Sequence, residues 1–195
     1  MIRTADLSDL EKLIAIEQRA FELDRFSRRT FRYLLSKANA VTLIDEHHGQ
    51  AVGYAMLLFN TGTSLARLYS LAVDPAYQGK GIGRELMEAT EERAVARGCV
   101  TMRLEVRADS ERARKLYEAQ GYRQIDTVED YYEDGMQALR YEKRLMPQLK
   151  QALAKVPYYE QTLEFTCGPS ALLMAMQSLD PAIEANRGLE LRLWR

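Results

Sequence analysis

The sequence predicts an α/β fold with a mixed, mostly antiparallel sheet flanked by helices. Three observations carry it: apolar residues at helical spacing open the chain, three strand-like apolar runs follow, and helix and strand patterns then alternate to about residue 145. The first helix sets Leu7, Leu10, Leu13 and Ile14 on one face, with Thr4 and Asp6 as capping candidates. A second begins after Ser27 and turns Phe31, Leu34 and Leu35 inward, leaving Phe21 to Phe26 as an aromatic-flanked connection. Ala40 to Ile44 and Ala51 to Phe59 bracket Asp45 to Gln50, a polar stretch with a glycine that reads as a hairpin loop, so the sheet starts antiparallel. Leu65 to Val73 is a third strand, stopped at Asp74-Pro75 because proline has no N–H for the ladder.

A glycine-rich turn then opens a helix that carries Ile82, Leu86, Ala89 and Val95 and ends near Arg97, with Gly98 suited to a left-handed cap. From Val100 to Val106 the pattern alternates, Met102, Leu104 and Val106 facing one way and Arg103, Glu105 and Arg107 the other. Asp109 or Ser110 caps a further helix with Ala113, Leu116 and Tyr117, which Gly121 ends. Strands around Tyr122 to Ile125 and Met136 to Leu145 complete the layout.

The chain has 195 residues, 47% apolar and 28% charged, a length that suits one domain and an appendage. Its 27 basic and 28 acidic residues are interleaved and sum to -1, which is not the footprint of direct nucleic-acid binding. Its longest apolar stretch, Ala51 to Phe59, is half the ~18 residues a membrane span needs, and no signal-like pattern opens the chain. The expected location is the cytoplasm. Cys99 and Cys167 are too few for a disulfide framework and read as thiols. His47 and His48 lack the neighbours of a ligand set, so no metal is expected.

A strand ending in a glycine turn that opens a helix is an anion site, because unpaired amides and the helix dipole both face the turn. The run Gln78-Gly79-Lys80-Gly81-Ile82-Gly83 is not a P-loop, which needs Gly, four residues, Gly, Lys and Ser or Thr. Nor does it complete a dinucleotide fingerprint, since Arg84 stands where the third glycine belongs and the preceding hairpin is antiparallel.

It does fit Gln/Arg-x-x-Gly-x-Gly/Ala, and with Leu71-Ala72-Val73-Asp74-Pro75, Leu104-Glu105-Val106-Arg107, Ala113 to Glu118 and Gly121-Tyr122 it resembles the GCN5-related N-acetyltransferase (GNAT) family. Tyr131-Tyr132 is similar to the branch that acetylates ribosomal-protein alanines. The resemblance spans residues 1–145. It implies the acyl-CoA N-acyltransferase fold and acetyl-CoA as cofactor, with the pyrophosphate on backbone amides of Gln78 to Gly83 and the adjoining Arg84, and the pantetheine arm against the backbone of Leu71, Ala72 and Val73. It further implies Glu105 as general base and Tyr117 as general acid in direct attack through a tetrahedral intermediate. Their plainer readings are a solvated strand glutamate and a core aromatic. Ser110 stands where relatives carry an asparagine, which puts one cofactor hydrogen bond in doubt.

The implied acceptor is a protein or peptide N-terminus, whose α-amino pKa of ~7.7 to 8.0 leaves part of it neutral, unlike lysine at ~10.4. Lysine or small-amine acetylation and a non-catalytic acetyl-CoA-binding scaffold are the rivals. Tyr131, Tyr132 and Phe26 are candidates to wall the acceptor groove. After a linker at 146–156, residues 157–195 resemble the start of a papain-like, bacteriocin-leader-processing peptidase, with Gln161 as oxyanion donor and Cys167 as nucleophile. No histidine follows Cys167, so this is read as an incomplete domain without peptidase activity. Its apolar helix, Ala171 to Leu179, is expected to dock on the first domain or pair with a second copy in a homodimer.

Overall fold

The computed structural model describes residues 1–145. The linker, Gln161, Cys167, the helix at Ala171 and any dimer contact through that extension lie outside the described residues.

The elements are β1 (Ile2–Thr4), α1 (Leu10–Ala20), α2 (Arg28–Ser36), β2 (Ala40–His47), β3 (Gln50–Phe59), β4 (Leu65–Val73), α3 (Ile82–Ala96), β5 (Thr101–Arg107), α4 (Glu111–Ala119), β6 (Arg123–Val128) and β7 (Ala138–Arg144). They form a seven-stranded sheet in the order β1-β2-β3-β4-β5-β7-β6. Of its neighbouring pairs only β4 and β5 run parallel. The mixed, mostly antiparallel sheet is therefore as predicted.

Helices cover both faces. Leu13 and Ile16 of α1 and Phe31 of α2 pack with Ile44, Tyr54 and Met56 on one face. Leu86, Met87 and Ala94 of α3 and Tyr117 of α4 pack with Val52, Leu57, Met102 and Leu104 on the other. Because β3 is covered on both sides, its residues read as one apolar run. Each fully buried Leu, Ile or Phe stabilises the layers by ~1.5–3 kcal/mol.

Three local expectations are corrected. Thr4 belongs to β1, an unpredicted strand paired with Leu43 to Asp45, while Asp6 caps a short 3-10 turn at Leu7–Asp9 in a reciprocal capping box with Asp9. Leu7 consequently lies outside the core, 51% exposed. The hairpin loop shrinks to His48 and Gly49, both with positive φ, and Asp45 to His47 extend β2. A primed two-residue turn matches the twist of the flanking strands, and the bulge after Asp45 absorbs the polar residues. Ser110 takes the N-cap position of α4 without a side-chain capping bond.

Gly53 fixes how closely α3 lies on the sheet. A Cβ there would stand 3.0 Å from the Ala72 carbonyl oxygen, 3.0 Å from Leu86 Cδ1 and 3.2 Å from Ile82 Cγ2. The first turn of α3 can thus sit directly over β3 and the end of β4.

Candidate active site

The parallel pairing of β4 and β5 stops early. It runs from Leu65↔Thr101 to Leu68↔Leu104, although β4 continues to Val73 and β5 to Arg107. A bulge in β4 coincides with the break, because Met56 faces Ser70 and Leu57 faces Leu68, leaving Tyr69 as the extra residue. From Ser70 to Val73 the strand pairs with β3 on one side and has no β5 partner on the other.

At the end of β4 the chain is tied down before it turns. Buried Asp74 accepts from the Ala76 amide at 3.0 Å and from Arg19 Nε of α1 at 2.8 Å. Gly79 and Gly81 follow with φ of 81° and 86°, a backbone that side chains rarely adopt. Gly81 is the N-cap of α3. Among the described residues the amides of Gly79, Lys80 and Gly81 have no backbone partner, and the first amides of α3 lack one by helix geometry. The Gln78 amide donates to the Pro75 carbonyl at 3.4 Å.

Side chains brace this cradle. Gln78 Nε2 donates to the Val73 carbonyl at 3.2 Å, while Arg112 of α4 donates to Gln78 Oε1. Lys80 Nζ lies 4.6 Å from the centre of the Tyr77 ring, and Arg84 pairs with Glu88 at 2.8 Å. Gly83 brings α3 and α4 together, since a Cβ there would stand 3.3 Å from Leu116 Cδ2 and 3.8 Å from Val73 Cγ2.

Beyond the break, a cavity of about 550 Å³ opens between the strands. Glu105, Tyr117, Leu71, Ser110, Phe26, Tyr131 and Tyr132 all line it. Glu105 is 9% exposed at its side chain, with Oε2 accepting from Arg67 Nε at 2.8 Å and Oε1 from Arg140 Nε at 3.0 Å. Such charge-assisted bonds fix the carboxylate in place. Tyr117 is buried, and burial together with nearby Tyr132 lifts its phenol well above the ordinary value. Its hydroxyl makes no hydrogen bond among the described residues, and the side chain lines the cavity.

Aromatic rings form two walls. Phe26 stacks on Tyr69 at 5.1 Å and meets Phe31 edge-on at 5.7 Å. Tyr131 and Tyr132 pack edge to face at 5.0 Å on the β6–β7 loop. Arg107 links the two sides, reaching Asp134 at 2.7 Å and Asp24 at 3.5 Å and lying 4.8 Å over the Tyr132 ring.

Sequence reasoning missed Glu17, which lines the cavity though it is only 2% exposed. Its oxygens accept from the Phe26 amide at 2.8 Å and from Tyr54, whose hydroxyl also meets Ser70 Oγ at 2.9 Å. Burial raises its carboxyl above the ordinary range, opposed by those two bonds. A carboxylate inside the apolar stripe of Leu10, Leu13 and Ile16 was the available signal. Arg67 and Arg140 carried none, because strand register alone brings them to Glu105.

His47 lies in β2, bonded to buried Asp45 at 3.0 Å and edge-on to Tyr77. Among the described residues, no group of three or more His, Cys, Asp or Glu could hold a metal ion. No helix among them is long and apolar enough to cross a membrane.

The profile of the Acetyltransferase (GNAT) family matches residues 7–122. That of the Peptidase_C39 like family matches residues 156–195. A ribosomal protein bS18-alanine N-acetyltransferase of Haemophilus ducreyi is 36% identical over 132 residues, 68% of this chain and 88% of that protein. A thialysine N-epsilon-acetyltransferase of Bos taurus is 30% identical over 151 residues, 74% of this chain and 85% of that protein. The crystal structure of the ribosomal-protein-S18-alanine N-acetyltransferase from Escherichia coli superposes with a TM-score of 0.68 at 27% identity, covering 85% of this chain and 99% of that one.

Proposed function

The chain belongs to the Acetyltransferase (GNAT) family and is an acetyl-CoA-dependent N-acetyltransferase, and from that premise we propose that its acceptor is the N-terminal α-amino group of a protein or peptide in the cytoplasm. One observation carries this reading: Glu105, Tyr117 and two aromatic walls line a single cavity at the β4–β5 break. Similarity to the alanine N-acetyltransferases supports it.

The residues present suit acetyl-CoA. Positive-φ glycines and the unpartnered amides of Gly79 to Gly81, continued into the first turn of α3, make a cradle for a pyrophosphate. The unpaired edge of β4 at Leu71 to Val73 offers backbone groups to the amides of a pantetheine arm, as an added strand would find. Acetyl-CoA supplies the activated acyl group as a thioester.

The chain's own residues handle protons. A neutral amine attacks the thioester carbonyl carbon, forming the C–N bond, and the C–S bond breaks as the tetrahedral species collapses. Glu105 takes the proton released by the amine, directly or through a water. Tyr117 gives its proton to the departing thiolate, a role open to a phenol because it is protonated at neutral pH. About a tenth of an α-amine with a pKa near 8 is neutral at pH 7, so base assistance can be modest.

The relative that acts on thialysine favours a second reading, a side-chain amine acceptor. Incubation with acetyl-CoA and peptides differing in their first residue, followed by mass spectrometric location of the acetyl group, separates the two. Acetylation of first-residue amines is the expected result; acetylation of internal lysines alone overturns the proposal.

A further inference from the structure

We propose that Arg67 is a positioning residue that cancels the negative charge of Glu105, so that the acceptor amine is held uncharged in the cavity. This rests on the reading above, in which the amine binds beside Glu105.

Two guanidiniums touch this carboxylate, but they are not equivalent. Arg140 also reaches Asp126 Oδ2 with its Nη1 at 2.9 Å, so that pair neutralises itself. Among the described residues Arg67 has one carboxylate partner, Glu105, and its Nη2 donates to the Tyr131 hydroxyl at 2.7 Å. Arg67 is therefore the charge that balances Glu105.

The other charged groups that line the cavity have partners of their own. From α1, Glu17 has both oxygens engaged, one by the Phe26 amide and one by the Tyr54 hydroxyl. Asp24, on the α1–α2 connection, lies 3.5 Å from Arg107 of β5, which also reaches Asp109 and Asp134. The other polar groups are the phenols of Tyr69, Tyr117, Tyr131 and Tyr132 and the hydroxyls of Ser70 and Ser110.

An ammonium beside a bare carboxylate keeps its proton, because opposite charges favour each other's ionised forms. An ammonium has no lone pair with which to attack. With Arg67 in place that attraction is cancelled, and the bound amine loses its proton to solvent at a lower pH. The guanidinium stays protonated across the working range, so the effect does not itself titrate.

The test compares the full chain with Arg67→Gln, Arg67→Lys and Glu105→Gln, measuring kcat from about pH 6 to about pH 10 with acetyl-CoA and an α-amino peptide both saturating, since kcat reports groups in the bound complex. In Arg67→Gln the acid limb should move up by about one pH unit, in Arg67→Lys it should return toward wild type, and in Glu105→Gln it should move down. Acetyl-CoA affinity should be the same in all four proteins. An Arg67→Gln profile lowered equally at every pH, or an Arg67→Lys protein that behaves like Arg67→Gln, overturns the charge role. Failure of the general-base reading is a separate result, a Glu105→Gln plateau as high as wild type at alkaline pH.

Discussion

From Asp74 to Gly83 the groups on offer are main-chain amides, held by two positive-φ glycines and a helix start. Between Phe26 and Tyr132 almost every group on offer is a side chain, placed by two helices, a connection, two strands and a loop far apart in sequence. The two regions answer to different chemistry. A pyrophosphate looks the same in every catalytic cycle, so a cradle of fixed amides suffices. An acceptor differs from one enzyme to the next, and only side chains can register that. Substitutions should therefore sort into two classes: those in the cradle change cofactor affinity, and those in the cavity change acceptor use and turnover.

Tyr117→Phe should give the largest effect, lowering kcat by ~100-fold or more while the acetyl-CoA Kd stays put. Stopped-flow turnover beside calorimetric titration checks it, and unchanged turnover would remove the general-acid role. Gly81→Val is the reciprocal case. A β-branched residue at φ 86° costs ~1–3 kcal/mol, which should weaken acetyl-CoA roughly ten- to a hundredfold by calorimetry and leave acceptor selectivity alone. Equal losses on both sides would dissolve the distinction between the two regions.

Phe26→Ala should raise the acceptor KM by ~3- to 10-fold, the worth of a lost stacking pair, with little change for acetyl-CoA. Steady-state kinetics with each substrate varied in turn decides the point. The smallest effect concerns Glu17. Because burial raises its carboxyl in the folded state, the folded protein holds that proton more tightly than the unfolded chain. Stability owed to Glu17 is then present in acid and declines as pH rises from the ordinary carboxylate range through the raised folded value. Glu17→Gln should lack that decline, so the difference in Tm between the two proteins should shift toward the variant from acid to neutral pH. A constant difference would mean the carboxyl is not raised.

Much of the fold was legible because periodicity and burial coincide. Met102, Leu104 and Val106 alternate in β5 and are buried as their spacing indicates, and β4 begins and ends at the residues the pattern marks. Three-residue β1 is too short to show a period, and the polar end of β2 reads as loop because Asp45 finds partners in the N-terminal amine and His47 rather than in water. The glycine loop was visible because its backbone geometry demands glycine at Gly79 and Gly81. The charge setting around Glu105 was not. Arg67 and Arg140 lie 38 and 35 residues from it along the chain, and only the lateral order β4-β5-β7 makes them neighbours.

Gly53 shows that the reach of the cofactor motif exceeds the motif. One absent methyl group in β3 sets the height of the α3 amides above the sheet, and with it how deep an anion can settle. Gaining that methyl would force the Ala72 carbonyl and the Leu86 and Ile82 side chains to give way. The seat of α3 thus depends on a position outside the glycine loop, and a lineage that drifted there would have to re-tune Ile82 and Leu86 to restore it.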